Sequence, residues 1–168
     1  QHDEAMTSVH ARLEASMPQA QRVSFVHNDL KLDNCMFDPA DPDRVISFFD
    51  WDMTTLGDPL IDLGTLLNYW PDPSDPENSG RVSHDGMTAM GLPTRAEVVA
   101  RYGERTGLDV SQAGWYDAFA LWKTATVIQQ LHHRWVVGDS TDERMETIAD
   151  RLPDLLAAAN ESLAGLAH

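Results

Sequence analysis

The sequence predicts an α+β domain that is mainly α, a helical bundle with a small β-hairpin. Two observations predict it. Several stretches place apolar residues three and four apart, the period of a helix with one buried face. Between residues 22 and 52 the chain instead has three short β-rich runs, two of them joined by a turn rich in Asp and Pro. The 168 residues suit a single domain spanning 1–168, and a hydrophobic fraction of 42% is enough for its core.

Residues 3–17 read as a helix with Val9, Leu13 and Met17 on one stripe, ended by Pro18. "RVSFVH" (22–27), "NCMFD" (34–38) and "VISFFDWD" (45–52) are the β-rich runs, and "DPADPDR" (38–44) is the turn that closes the second and third into a hairpin. "PLIDLGTLLNYW" opens with Pro59 at a first helical position and gathers Leu60, Leu63, Leu67 and Trp70. Residues 71–93 have no period and many breakers. A loop of that length is commonly functional, and His84 and Asp85 within it are candidates to line a substrate cleft. Thr94 and Glu97 form a capping box for a helix that stops near Gly107. Residues 112–137 carry Trp115, Phe119, Trp122, Ile128, Leu131 and Trp135 and read as a central buried helix. Ser140 and Glu143 form a second capping box, and Pro153 kinks or splits the last helical stretch.

The 12 basic and 27 acidic side chains leave a formal charge of −15. That excess disfavours nucleic acid and anionic membranes as partners, since both need a basic face. It is compatible with a cationic substrate or a bound metal. No apolar run approaches the ~20 residues of a membrane span. Cys35 is the lone cysteine, so no internal disulfide forms. A reducing, cytoplasmic setting is the expectation.

The polar residues concentrate in "VHNDLKLDNCMFD", residues 26–38. A loop leaving one strand and a hairpin returning beside it bring Asn34 close to Asp50. An Asn carbonyl and an Asp carboxylate are a hard oxygen pair suited to Mg²⁺, which keeps waters and phosphate oxygens in its other positions. Asp29 is then free to accept a hydroxyl proton, and Lys31 places a positive charge where phosphate charge develops. Base, metal ligands and charge stabiliser together make a set for phosphoryl transfer. Taken singly, each has a plainer reading. His27 is a structural strand-end histidine, "DNCMFD" a turn bonded to its own Asn side chain, and Asp50 and Asp52 a solvated strand end. Their joint occurrence, in this order around a hairpin, favours the chemistry.

"HNDLKLDN" followed by "FFDWD" resembles the catalytic loop and metal-binding segment of the protein-kinase-like superfamily. The match is to its aminoglycoside phosphotransferase and choline kinase branch. "DWDMTTLGDPLIDLG" and "GLPTRAEVVARYGERTG" are similar to the kinase-like domain that some proteins carry upstream of an acyl-CoA dehydrogenase. By position, the resemblance makes Asp29 the catalytic base and His27 the brace of its loop. It makes Asn34 and Asp50 the Mg²⁺ ligands on ATP, and Lys31 a basic group meeting the transferred phosphate. Asp62 ties its helix to the catalytic-loop backbone, and Asp52 stands where the family has another acidic residue. Asp58 shapes a turn through its side chain.

Two departures stand out. Asn28 replaces the usual Gly, although Asn tolerates left-handed backbone better than most residues. And 26 residues precede His27, where the family places an N-terminal nucleotide lobe with a Gly-rich loop, a strand Lys and a helix Glu. The expectation is therefore the C-terminal lobe of an ATP- and Mg²⁺-dependent kinase. Its acceptor is the hydroxyl of a small molecule: a hydroxyacyl-CoA ester first, an aminoglycoside or amino alcohol second. The competing reading is a non-catalytic kinase-like binding module or an inactive fragment of such a kinase. A metal-dependent hydrolase needs more His or carboxylate ligands than the sequence assembles.

Overall fold

The computed structural model of the chain describes residues 2–75, 80, 81 and 87–165. Helix α1 (His2–Ala15) leads to strand β1 (Ser24–Val26), a 3₁₀ turn at Leu32–Asn34, and strands β2 (Cys35–Asp38) and β3 (Asp41–Phe48). A second 3₁₀ turn, Trp51–Met53, precedes β4 (Thr55–Gly57). Helices α2 (Leu60–Asn68), α3 (Arg95–Thr106), α4 (Ala113–Val136), α5 (Arg144–Thr147) and α6 (Leu152–Ala164) complete the chain. The α+β, mainly helical architecture is as expected.

The core forms around α4, which packs against α1, α2 and α6. Its inward positions include Ala118, Leu121 and Ala125, all fully buried. Alanines there let neighbouring helices come close. Val9 and Leu13 from α1, Leu60, Leu63 and Leu67 from α2, and Leu155 and Ala159 from α6 fill the rest. Each buried Leu contributes about 1.5–3 kcal/mol relative to exposure. The approach of α2 to α4 is closest at Gly64, where an added Cβ would sit 2.2 Å from the Tyr116 carbonyl oxygen. That atom is backbone and cannot swing aside. Gly64→Ala is therefore expected to destabilise the fold by at least the ~1–3 kcal/mol typical of overpacking. Thermal melting of the variant reads it, and an unchanged midpoint would contradict this packing.

The hairpin is present. β2 and β3 pair antiparallel, with Cys35 opposite Phe48 and Asp38 opposite Asp41. The turn is shorter than the sequence suggests. Pairing begins at Asp41, so Pro39 and Ala40 alone reverse the chain, and the register is irregular on both sides of Phe37. β1 does not join this hairpin. It pairs antiparallel with β4, a strand whose "TLG" has no β signal of its own, and Phe25 faces Leu56 across the pair. Those two side chains are 75% and 65% exposed.

Other expectations need adjustment. Met17 lies beyond the end of α1 and is 67% exposed. Pro59 sits at the N-cap of α2 rather than inside it. Trp70 lies past its C-terminus, where its indole N–H donates to the Pro93 carbonyl at 2.7 Å. The Thr94–Glu97 capping box forms with both reciprocal bonds, and Gly107 closes α3 in the left-handed region at φ 69°. The Ser140–Glu143 box does not form. α5 is only four residues long and has no side-chain cap, while Ser140 Oγ accepts from the Asp142 N–H at 3.4 Å. Pro153 does split the last stretch, standing in the first turn of α6. His84 and Asp85 lie outside the described residues. At the edge of that loop, Arg81 makes a bidentate pair with Asp117 of α4 at 2.8 and 2.7 Å.

Candidate active site

The site begins where β1 ends. After fully buried Val26, the chain turns through Asn28, whose φ is +66°. A Gly adopts that conformation freely; Asn is among the few other residues that do so at modest cost. The turn is held from three directions. The Asp62 carboxylate, in the first turn of α2, accepts the His27 N–H at Oδ2 and the Asn28 N–H at Oδ1, both at 2.8 Å. The Asn28 side chain donates to the Met53 carbonyl at 2.9 Å. The Asn28 carbonyl accepts from the Lys123 ammonium of α4. These bonds give the Asn-for-Gly replacement a folded loop with its polar groups paired.

His27 is 3% exposed. Its Nε2 bonds the Phe49 carbonyl at 2.7 Å, and its Nδ1 accepts the Asp29 N–H at 3.3 Å. That pair of partners assigns the tautomer carrying its proton on Nε2. The ring also lies 4.7 Å from the Trp51 ring, tilted. Phe49 is gripped a second time, since its N–H donates to the Asn34 carbonyl at 2.8 Å. The two grips bind the 27–34 loop to the segment entering Asp50. Asp50 then turns in the left-handed region, at φ +62°, with its side chain exposed. Asp52 is exposed on the 3₁₀ turn beyond it.

Asn34 is buried. Its Nδ2 donates to the Asp29 carbonyl at 2.8 Å and to Asp29 Oδ2 at 3.1 Å. Both bonds use the amide nitrogen, so Oδ1 stays outside them. Lys31 Nζ meets Asp29 Oδ2 at 2.7 Å and stands 5.3 Å from the centre of the Tyr69 ring. Burial works to lower the Lys31 ammonium, but the bond to Asp29 and the charge of Asp29 outweigh it and hold the group above its ordinary value. Lys31 thus lies on Asp29 in this structure. Burial, aided by the Asp29 charge, also raises the Tyr69 phenol.

The surrounding side chains are structural. Asp58 caps the Leu60 N–H at 2.9 Å and accepts the Tyr116 hydroxyl at 2.8 Å. Burial and then that bond push the Tyr116 phenol up. Cys35 is half-buried and bonds the Lys31 carbonyl at 3.3 Å. Burial raises its thiol, away from thiolate reactivity.

The geometry can be set beside known proteins. A profile of the phosphotransferase enzyme family matches residues 1–98, more than half of the chain. The chain belongs to that family. A crystal structure from Ralstonia eutropha JMP134, described as a "putative aminoglycoside phosphotransferase", superposes with a TM-score of 0.78 at 29% identity, covering 96% of this chain and 49% of that one. Acyl-CoA dehydrogenase family member 11 of Mus musculus is 35% identical over 122 residues, which is 70% of this chain and 15% of the relative. Acyl-CoA dehydrogenase family member 10 of the same organism is 32% identical over 127 residues, 74% of this chain and 12% of the relative. The chain therefore spans a minor part of these relatives and about half of the solved neighbour. As a member of the phosphotransferase family it has a kinase-like fold.

Sequence reasoning missed Lys123 and Tyr69. A signal for the first existed. Between Gln112 and Gln129, Asp117 and Lys123 are the charged residues of a mainly apolar stretch, and each is found in a polar contact with a distant segment. Among the described residues no helix is long and apolar enough to cross a membrane.

Proposed function

We propose that this chain carries the catalytic loop and metal-binding segment of an ATP- and Mg²⁺-dependent kinase whose acceptor is a hydroxyl of a small molecule. The observation that carries the reading is the double grip on Phe49. His27 and Asn34 hold its two peptide groups, which places the segment entering Asp50 against the loop bearing Asp29. The donor set fits Mg²⁺. Asn34 Oδ1 lies outside the bonds made by its amide, Asp50 is exposed, and both offer hard oxygens. Among the described residues no three His, Cys, Asp or Glu side chains converge, so waters and phosphate oxygens would complete the shell. Mg²⁺ held there would neutralise charge on the ATP phosphates.

Asp29 orients the acceptor hydroxyl and takes its proton as the oxygen attacks the γ-phosphorus and the bond to the ADP oxygen breaks. Lys31 and Asn34 hold the Asp29 carboxylate at Oδ2, which fixes its orientation toward the acceptor. The relatives' names favour a hydroxyacyl-CoA ester as acceptor, and the solved neighbour's description keeps aminoglycosides as the second class.

The test is Mg²⁺-dependent ADP release by the protein as encoded, with hydroxyacyl-CoA esters, aminoglycosides and amino alcohols as acceptors and an Asp29→Asn blank. Release with one class, absent in the blank, is expected. No release, together with no binding of Mg-ATP, would replace the kinase by a ligand-binding module.

A further inference from the structure

We propose that Lys123 is a positioning residue of the Asp29 loop, its ammonium clamping the peptide that joins Asn28 to Asp29. The inference deepens the reading above, because it concerns how the proposed base is held. That peptide has two polar ends. Its N–H, on Asp29, points to His27 Nδ1 at 3.3 Å. Its carbonyl, on Asn28, points to Lys123 of α4. Asn28 is in the left-handed region, where a non-glycine residue persists only if the surroundings hold it. The other holds on Asn28 act on different groups: Asp62 takes its N–H and Met53 takes its side chain. Among the described residues, Lys123 is the side chain recorded on its carbonyl.

Position and charge agree with this role. Lys123 leaves the middle of the helix that forms the core, so its stem starts from a packed element. The next residue, Thr124, accepts from the Asn68 amide at 2.8 Å and fixes α4 against the end of α2. Among the described residues, the ammonium's one recorded bond is to the Asn28 carbonyl, beside Asp29. Burial lowers its pKa, and the Asp29 and Asp62 charges oppose that change. The loop is thus held by Lys31 on the Asp29 carboxylate, Asp62 on two backbone N–H groups and Lys123 on the Asn28 carbonyl. A carbonyl deprived of its donor in such a place favours rotation of its peptide, and that rotation carries the Asp29 Cα with it. Displacements of about 1 Å at a catalytic group cost on the order of 10²-fold in rate.

The variant is Lys123→Met, which keeps the length and apolar stem and removes the donor. In the protein as encoded, kcat is expected to fall by about 10–100-fold, with KM for Mg-ATP unchanged. Lys123→Arg, which retains a charged donor, is expected to recover most of the loss. Backbone amide exchange supplies a readout independent of activity. In Lys123→Met the Asp29 amide is expected to exchange about tenfold faster or more, with the α4 amides as protected as before. Unchanged exchange at Asp29 would overturn the proposal, as would a uniform loss of protection along α4, which marks a plain stability role. Should Asp29→Asn retain full turnover, the base assignment fails on its own, and amide exchange still decides the role of Lys123.

Discussion

Asp29→Asn is expected to reduce turnover by about 10²–10⁴-fold, the usual worth of a positioned general base. The substitution isolates proton acceptance because it leaves the geometry nearly intact. The amide oxygen can still accept from Lys31 and Asn34, which now reach Oδ2 at 2.7 and 3.1 Å, and the Asn34 bond to the Asp29 carbonyl is untouched. What the amide cannot do is take a proton from the attacking hydroxyl. Steady-state kinetics with Mg-ATP and the accepted substrate read the effect as a fall in kcat with little change in KM for the nucleotide. Wild-type turnover in this variant would remove Asp29 from the role of base.

Replacing Asp50 is expected to remove the Mg²⁺-dependent part of nucleotide binding. Position 50 sits at φ +62°, a conformation costing an ordinary residue roughly 1–2 kcal/mol. Asp50→Ala therefore mixes backbone strain with loss of the ligand. Asp50→Asn tolerates the left-handed turn and removes only the charge, so the pair of variants separates the two effects. Calorimetric titration with ATP, in excess Mg²⁺ and again in chelator, measures the metal-dependent affinity directly. Equal loss in both variants assigns the effect to the carboxylate. Unchanged Mg-ATP affinity in Asp50→Asn would show that Asp50 is not a metal ligand.

The parts of this site that were legible in the sequence share one property: they are local. Asp29, Lys31 and Asn34 lie within six residues, and their contacts with one another are set by a single loop. The hairpin was legible because two β-rich runs flank a turn rich in Asp and Pro. What escaped detection depends on distance along the chain. Lys123 meets a carbonyl 95 residues away, and β4 is a strand because β1 needs a partner, not because "TLG" favours one. Short capping motifs failed where tertiary packing prevailed. Thr94 and Glu97 head a twelve-residue helix and form their box, whereas Ser140 and Glu143 precede a helix of four residues, too short for the cap to recruit a turn.

Phe25 and Leu56 face each other on the exposed side of a two-stranded sheet that has open edges along both strands. Such a surface is adhesive, since unpaired strand edges and apolar side chains both invite other chains to pair. The charge of −15 works against that adhesion by long-range repulsion between molecules. At low salt the repulsion reaches across tens of ångströms; near 1 M it fades within about 3 Å. The dispersion of this chain in solution is thus a balance set by ionic strength, with acidic side chains remote from the reaction keeping one molecule away from the next.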